Sequence, residues 1–127
     1  MFILAIDYDG TLFLDHQSNR GAPRIDVINK VKEFKNTKNC EIILWTCREG
    51  KLLEEAIAKC KEWGLEFDAV NENAPSQIEY TKQMRAQGQE LATRKIFANF
   101  YLDDRAFNIG MFLDLDVEKT CKDFSNF

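Results

Sequence analysis

Two pairs of carboxylates stand where apolar stretches stop. Phe2-Ile3-Leu4-Ala5-Ile6 runs straight into Asp7-Tyr8-Asp9-Gly10-Thr11-Leu12, and Phe100-Tyr101-Leu102 delivers Asp103-Asp104-Arg105. A short, continuous apolar run suits a strand buried on both faces. Open parallel sheets bind their ligands just beyond the carboxyl ends of the strands, so Asp7 and Asp9 are expected to project into such a crevice, with Gly10 permitting the sharp turn behind them. Two like charges buried side by side are expensive unless a cation joins them. A hard divalent ion with oxygen ligands resolves the conflict, and magnesium is satisfied by one or two carboxylates, a substrate phosphate and water. A third apolar stretch, Ile42-Ile43-Leu44-Trp45, ends in Thr46. Its hydroxyl and the adjacent N–H groups can hold a phosphate oxygen without adding negative charge. Each signal also has an ordinary reading: Asp-x-Asp-Gly is a common turn, and Thr is a good strand residue.

The elements that would position these side chains alternate. After the first strand, residues 13–22 are too polar for a core and suit a loop or small hairpin; His16, the single histidine, has no partner fixed near it. Pro23 is expected to open a helix carrying Ile25, Ile28, Val31 and Phe34 on one face. The cluster Asn36-Thr37-Lys38-Asn39 closes it, and residues 40–46 read as a second buried strand. A second helix over 51–63 groups Leu52, Leu53, Ala56, Ile57, Cys60 and Trp63, and Gly64 stands where a helix ends. Residues 65–70 supply a weaker strand. Ser76-Gln77-Ile78-Glu79 has capping-box spacing, which predicts a third helix from Ser76 to about Gly88. Residues 96–102 give the last strand, and 106–127, apolar early and helical late, are expected to cover a sheet edge. Strand alternating with helix predicts an α/β fold built on a doubly wound parallel sheet.

Asp7-Tyr8-Asp9-Gly10-Thr11-Leu12 resembles the first motif of the haloacid dehalogenase (HAD) superfamily of phosphohydrolases, a buried strand followed by Asp-x-Asp-Gly-Thr-Leu. Leu44-Trp45-Thr46 is similar to its second motif, and Tyr101-Leu102-Asp103-Asp104 to the Asp-Asp form of its fourth. The resemblance implies a Rossmann-type three-layer α/β/α domain over residues 1–127 without a cap. It implies a magnesium-dependent phosphatase in which Asp7 attacks phosphorus, Asp9 protonates the leaving group and then activates water, and Thr46 orients a phosphoryl oxygen. Asp7, Asp9, Asp103 and Asp104 are the implied metal ligands. The third motif is a Lys. Lys95, shortly before the Tyr-hydrophobic-Asp-Asp strand, is one candidate, and Lys82 in the third helix is the other. Lys95 fits only if the chain descends and turns near Ala98 and Asn99 before rising, since eight extended residues span about 26 Å.

Length and composition bound the rest. The chain has 127 residues, 45% hydrophobic and 30% charged, and so reads as one globular domain. A net charge of -4 offers no general attraction to nucleic acid or anionic membrane, although a local basic patch for nucleic acid stays open. Cys40, Cys47, Cys60 and Cys121 form no zinc or Cys-x-x-Cys pattern, and the apolar opening is too short for a membrane span, so a cytosolic location is the default. With no cap, an open site suits either a bulky phosphate ester or a small one closed in by a second copy of the chain. Two readings of other classes remain: a signalling receiver domain and a non-catalytic binder of phosphorylated ligands. The order of the acid pairs disfavours the receiver, and the presence of both Asp7 and Asp9 disfavours the binder.

Overall fold

The computed structural model describes residues 1–14, 21–89, 93–105 and 109–125; His16 lies outside them. Its centre is β1 (Phe2–Ile6), every residue of which is buried. Parallel strands flank β1 on both sides: β4 (Cys40–Leu44) pairs Ile6 with Leu44, and β6 (Phe100–Leu102) pairs Ile6 with Leu102. The short β5 (Ala69–Val70) adds to the far side of β4, giving the order β5-β4-β1-β6. The chain therefore builds outward in one direction from β1, then crosses back to add β6 on the other side. The fold is mixed α/β, a four-stranded parallel sheet flanked by helices. Between β1 and β4, Phe13–Leu14 (β2) and Ala22–Pro23 (β3) pair antiparallel as the small hairpin.

Alternation along β1 feeds two cores. Phe2, Leu4 and Ile6 pack with residues of α1 (Ile25–Lys35), α2 (Gly50–Glu62), α4 (Ile109–Leu113) and α5 (Val117–Phe124). Phe34 stacks between Phe2 and Phe112, with ring centroids 5.6 Å apart on each side. Ile3 and Ala5 face a smaller cluster with Ile43, Ala69, Ala74, Ile96 and Ala98. Here α3 (Pro75–Ala86) buries none of its side chains fully; Ala74, just ahead of it, and the irregular residues 96–98 supply the contact.

Several sequence expectations shift. Pro23 belongs to β3 rather than opening α1, whose inward face is Val27, Ile28, Val31 and Phe34, with Ile25 exposed. In α2 the buried stripe narrows to Ala56 and Cys60, flanked by half-buried Leu53 and Trp63, while Leu52 and Ile57 are exposed. Gly64 ends that helix with φ +82°, a left-handed conformation that favours glycine. No capping box starts α3. Pro75 occupies its first turn after Ala74, and the Ser76 hydroxyl donates to Glu41 instead of capping. The last strand is only Phe100–Leu102, because the chain bends at Asn99. The Asn99 N–H bonds the Ile3 carbonyl at 2.8 Å, and the Tyr101 hydroxyl accepts from the Ala98 N–H at 3.1 Å and donates to the Ile96 carbonyl at 2.6 Å. Among the described residues no helix is long and apolar enough to cross a membrane, and all four thiols are free.

Candidate active site

Three strand ends meet at the carboxyl edge of the sheet. The ladder continues past the strands proper: the Asp7 N–H bonds the Leu102 carbonyl at 2.9 Å, and the Trp45 N–H bonds the Ile6 carbonyl at 2.8 Å. One further step in the β1–β6 register sets Asp7 beside Asp103. Strand alternation alone would send Asp104 to the opposite face. Instead β6 stops at Leu102, and a turn over residues 104–105 closes as the Arg105 N–H bonds Asp103 Oδ1 at 2.9 Å. The turn is anchored from below by Thr11, fully buried, whose Oγ1 accepts the Asp104 N–H at 3.0 Å. As a result one carboxylate oxygen from each of Asp7, Asp103 and Asp104 lies within 4.8 Å of the others. Like charges at that separation oppose ionisation. Burial, and then the charge of Asp103, push the Asp7 carboxyl up to about 6, with Asp104 and Asp9 adding to the effect and the Tyr8 N–H opposing it.

Asp9 does not join that cluster. Gly10, at φ +82°, turns the chain behind it. Both Asp9 carboxylate oxygens are taken by Arg48, Nε donating to Oδ2 and Nη2 to Oδ1, each at 2.8 Å. The expectation that the Asp9 side chain is a fourth metal ligand therefore gives way to a forked ion pair.

Thr46 lies two residues past β4 on the same edge. Its N–H donates to Asn71 Oδ1 at 2.8 Å, and its Oγ1 accepts the Arg48 N–H at 3.2 Å. The hydroxyl hydrogen is left for another acceptor. Lys95 is exposed and lines a cavity of about 490 Å³ with Asn73, Gln77, Thr93 and Tyr101, a wall to which none of the three clustered acids contributes. A bend at Asn99 separates this segment from β6. The Phe97 N–H is held by Asn73 Oδ1 at 2.8 Å, beyond the carboxyl end of β5. Lys82 is exposed on α3. Cys47 is exposed.

Sequence reasoning left two participants without a role, Thr11 and Arg48. Thr11 stood inside the quoted motif, and its burial behind two acids was the signal. For Arg48 the signal was weaker: a cation two residues after Thr46, on an edge expected to gather acids.

No family model matches the chain, and no curated protein does. Among solved structures, that of a conserved protein from Bacteroides thetaiotaomicron is similar to it, with a TM-score of 0.66 and 32% sequence identity over 92% of this chain and 90% of that one.

Proposed function

We propose that this chain, which belongs to one family with the conserved Bacteroides thetaiotaomicron protein, is a magnesium-dependent phosphohydrolase of the HAD type, cleaving a phosphate monoester through an aspartyl-phosphate on Asp7. The observation that carries this reading is the convergence of Asp7, Asp103 and Asp104 within 4.8 Å where the strand order reverses between β1 and β6, the place where open α/β sheets bind ligands. The sheet order also suits the doubly wound α/β/α domain of that superfamily, without a cap. The donor set fits a hard divalent ion: three carboxylates at one point, one of them held back from ionising by the other two and by burial. Asp7, Asp103 and Asp104 would hold the ion, which when bound supplies positive charge against the phosphoryl oxygens.

The remaining chemistry falls to the chain's own side chains. An Asp7 oxygen attacks phosphorus in line, the bond from phosphorus to the ester oxygen breaks, and the departing oxygen takes a proton from Asp9. Asp9 then accepts a proton from the water that attacks the aspartyl-phosphate. The bond between Asp7 and phosphorus breaks, and inorganic phosphate leaves with Asp7 restored. The Thr46 hydroxyl donates to one phosphoryl oxygen, and Lys95 is the proposed cation for another. Positioning and charge neutralisation account for most of the acceleration in phosphoryl transfer.

The test is a panel of phosphate monoesters, from aryl phosphates to nucleic-acid ends and phosphopeptides, assayed with magnesium and with excess chelator. Magnesium-dependent release of phosphate that disappears in Asp7→Asn is the expected result. Equal hydrolysis with and without chelator, or none on any ester, refutes the reading.

A further inference from the structure

We infer that Arg48 is the positioning residue for Asp9, aiming the carboxyl group proposed to carry protons to and from the reacting oxygens and keeping it out of the acid cluster; the inference rests on the phosphohydrolase reading above. The geometry is a two-pronged fork, Nε and Nη2 each 2.8 Å from a different oxygen of Asp9. Such parallel bonds fix the plane of a carboxylate, which a single contact does not. The fork is itself held from three further directions. Its guanidinium carbon lies 4.7 Å from the centroid of the Tyr8 ring, Nη1 donates to the Leu52 carbonyl at 3.2 Å, and the backbone N–H of Arg48 is tied to Thr46 Oγ1. Tyr8 in turn belongs to a three-ring cluster, its centroid 5.6 Å from Phe13 and 6.2 Å from Trp63, which lie 6.1 Å from each other. The loops following β1 and β4 and the first turn of α2 thus converge on one guanidinium.

Two alternatives explain less. As a phosphate clamp, Arg48 would have to release Asp9 and leave a half-buried carboxylate without its partner, a costly exchange. As a surface ion pair, it would need neither the stacked platform nor the extra bond to Leu52, and its side chain, 21% exposed, is too enclosed for that description. Positioning accounts for all of these contacts. It also accounts for Asp9 standing apart from the three acids close by.

The experiment is a double-mutant cycle on turnover of an alkyl phosphate monoester, whose poor leaving group needs a proton, with saturating magnesium. Arg48→Gln should lower kcat roughly 10- to 100-fold, the scale of a small misplacement of a reacting group, and leave KM within about threefold, since no ground-state contact is lost. Arg48→Lys should recover part of the loss, because an ammonium keeps the charge and the contact with Tyr8 but cannot span both oxygens. In an Asp9→Asn background, Arg48→Gln should cost less than about twofold more, as there is no longer a proton donor to aim. Multiplicative losses in the cycle overturn the inference, as does a raised KM with kcat kept, which would mark a phosphate clamp. Should Arg48→Gln not fold, Arg48→Lys crossed with Asp9→Asn makes the same comparison. A wild-type protein without turnover refutes the phosphohydrolase reading and this role together, whereas Asp7-dependent turnover with multiplicative losses refutes this role alone.

Discussion

Asp7→Asn should separate stability from the proposed activity, because a carboxylate at this position is one the metal-free fold tolerates poorly. Its carboxyl is raised from 3.8 to about 6, by burial first and the neighbouring acids next. The sign follows from linkage: the folded chain holds this proton more tightly than the unfolded chain, so the stabilisation it brings is complete below about pH 4. That contribution is lost as pH rises through about 6. At about 1.4 kcal/mol per pH unit the full penalty above pH 6 is about 3 kcal/mol, and the partial solvent contact of Asp7 reduces it to about 1–3 kcal/mol. An amide of the same shape carries no such charge. At pH 8 in chelator, Asp7→Asn should therefore melt about 3–15 °C above the wild type, taking about 3–5 °C per kcal/mol for a domain of this size. At pH 4 the two should melt within about 2 °C of each other. Adding magnesium should raise the melting temperature of the wild type and much less that of the variant, narrowing or reversing the order. Circular dichroism melts at the two pH values, with and without magnesium, make the measurement. A variant that is less stable than wild type at pH 8 in chelator, or equally stabilised at both pH values, refutes the electrostatic account.

Three further outcomes follow from the same geometry. Asp103→Asn should raise the magnesium concentration for half-maximal rate more than Asp104→Asn, because Asp103 is the more buried of the two and lies in register beside Asp7; a magnesium titration giving the reverse order assigns the inner role to Asp104. Thr11→Val should lower stability by about 1–2 kcal/mol, since it leaves the Asp104 N–H without its acceptor, and should also raise the magnesium requirement; urea melts and metal titration check both, and an unchanged metal requirement would show that the turn holds without Thr11. Lys95→Ala should lower kcat/KM about tenfold or more while Lys82→Ala stays within about twofold, and equal effects in steady-state kinetics would dissolve the distinction.

The chemistry-bearing residues were legible because strand ends are. An apolar run stopping at Asp7, and another at Asp103, needs only local composition to be recognised. Which strands become neighbours is a different kind of fact. The cluster exists because β6 adds beside β1 in a register that carries Asp7 to Asp103, and nothing local to either segment encodes that pairing. Local signals also failed where a tertiary partner outbid them. Ser76 and Glu79 have the spacing of a capping box, yet Ser76 turns to Glu41, a residue 35 positions away, and Pro75 starts the helix without it. Ile25 follows the three-residue spacing of Ile28, Val31 and Phe34, but on a helix of about 3.6 residues per turn that spacing drifts around the axis, and Ile25 falls off the face that Val27 shares with Val31 and Phe34.

Arg48 is the sharpest instance of this gap. Nothing local to Arg48 in the sequence names its partner, which lies 39 residues away. The structure couples the two acids of the first motif to opposite surroundings. Asp7 faces like charges and burial that resist ionisation, while Asp9, two residues on, faces a guanidinium. The structure resists ionisation at the proposed nucleophile, Asp7, so the positive charge that a bound cation would supply is what would free it to attack. The division depends on Gly10, Tyr8 and Arg48 as much as on the acids themselves. A substitution at Tyr8 that removes the ring under the guanidinium, such as Tyr8→Ala, would loosen the fork without touching either carboxylate.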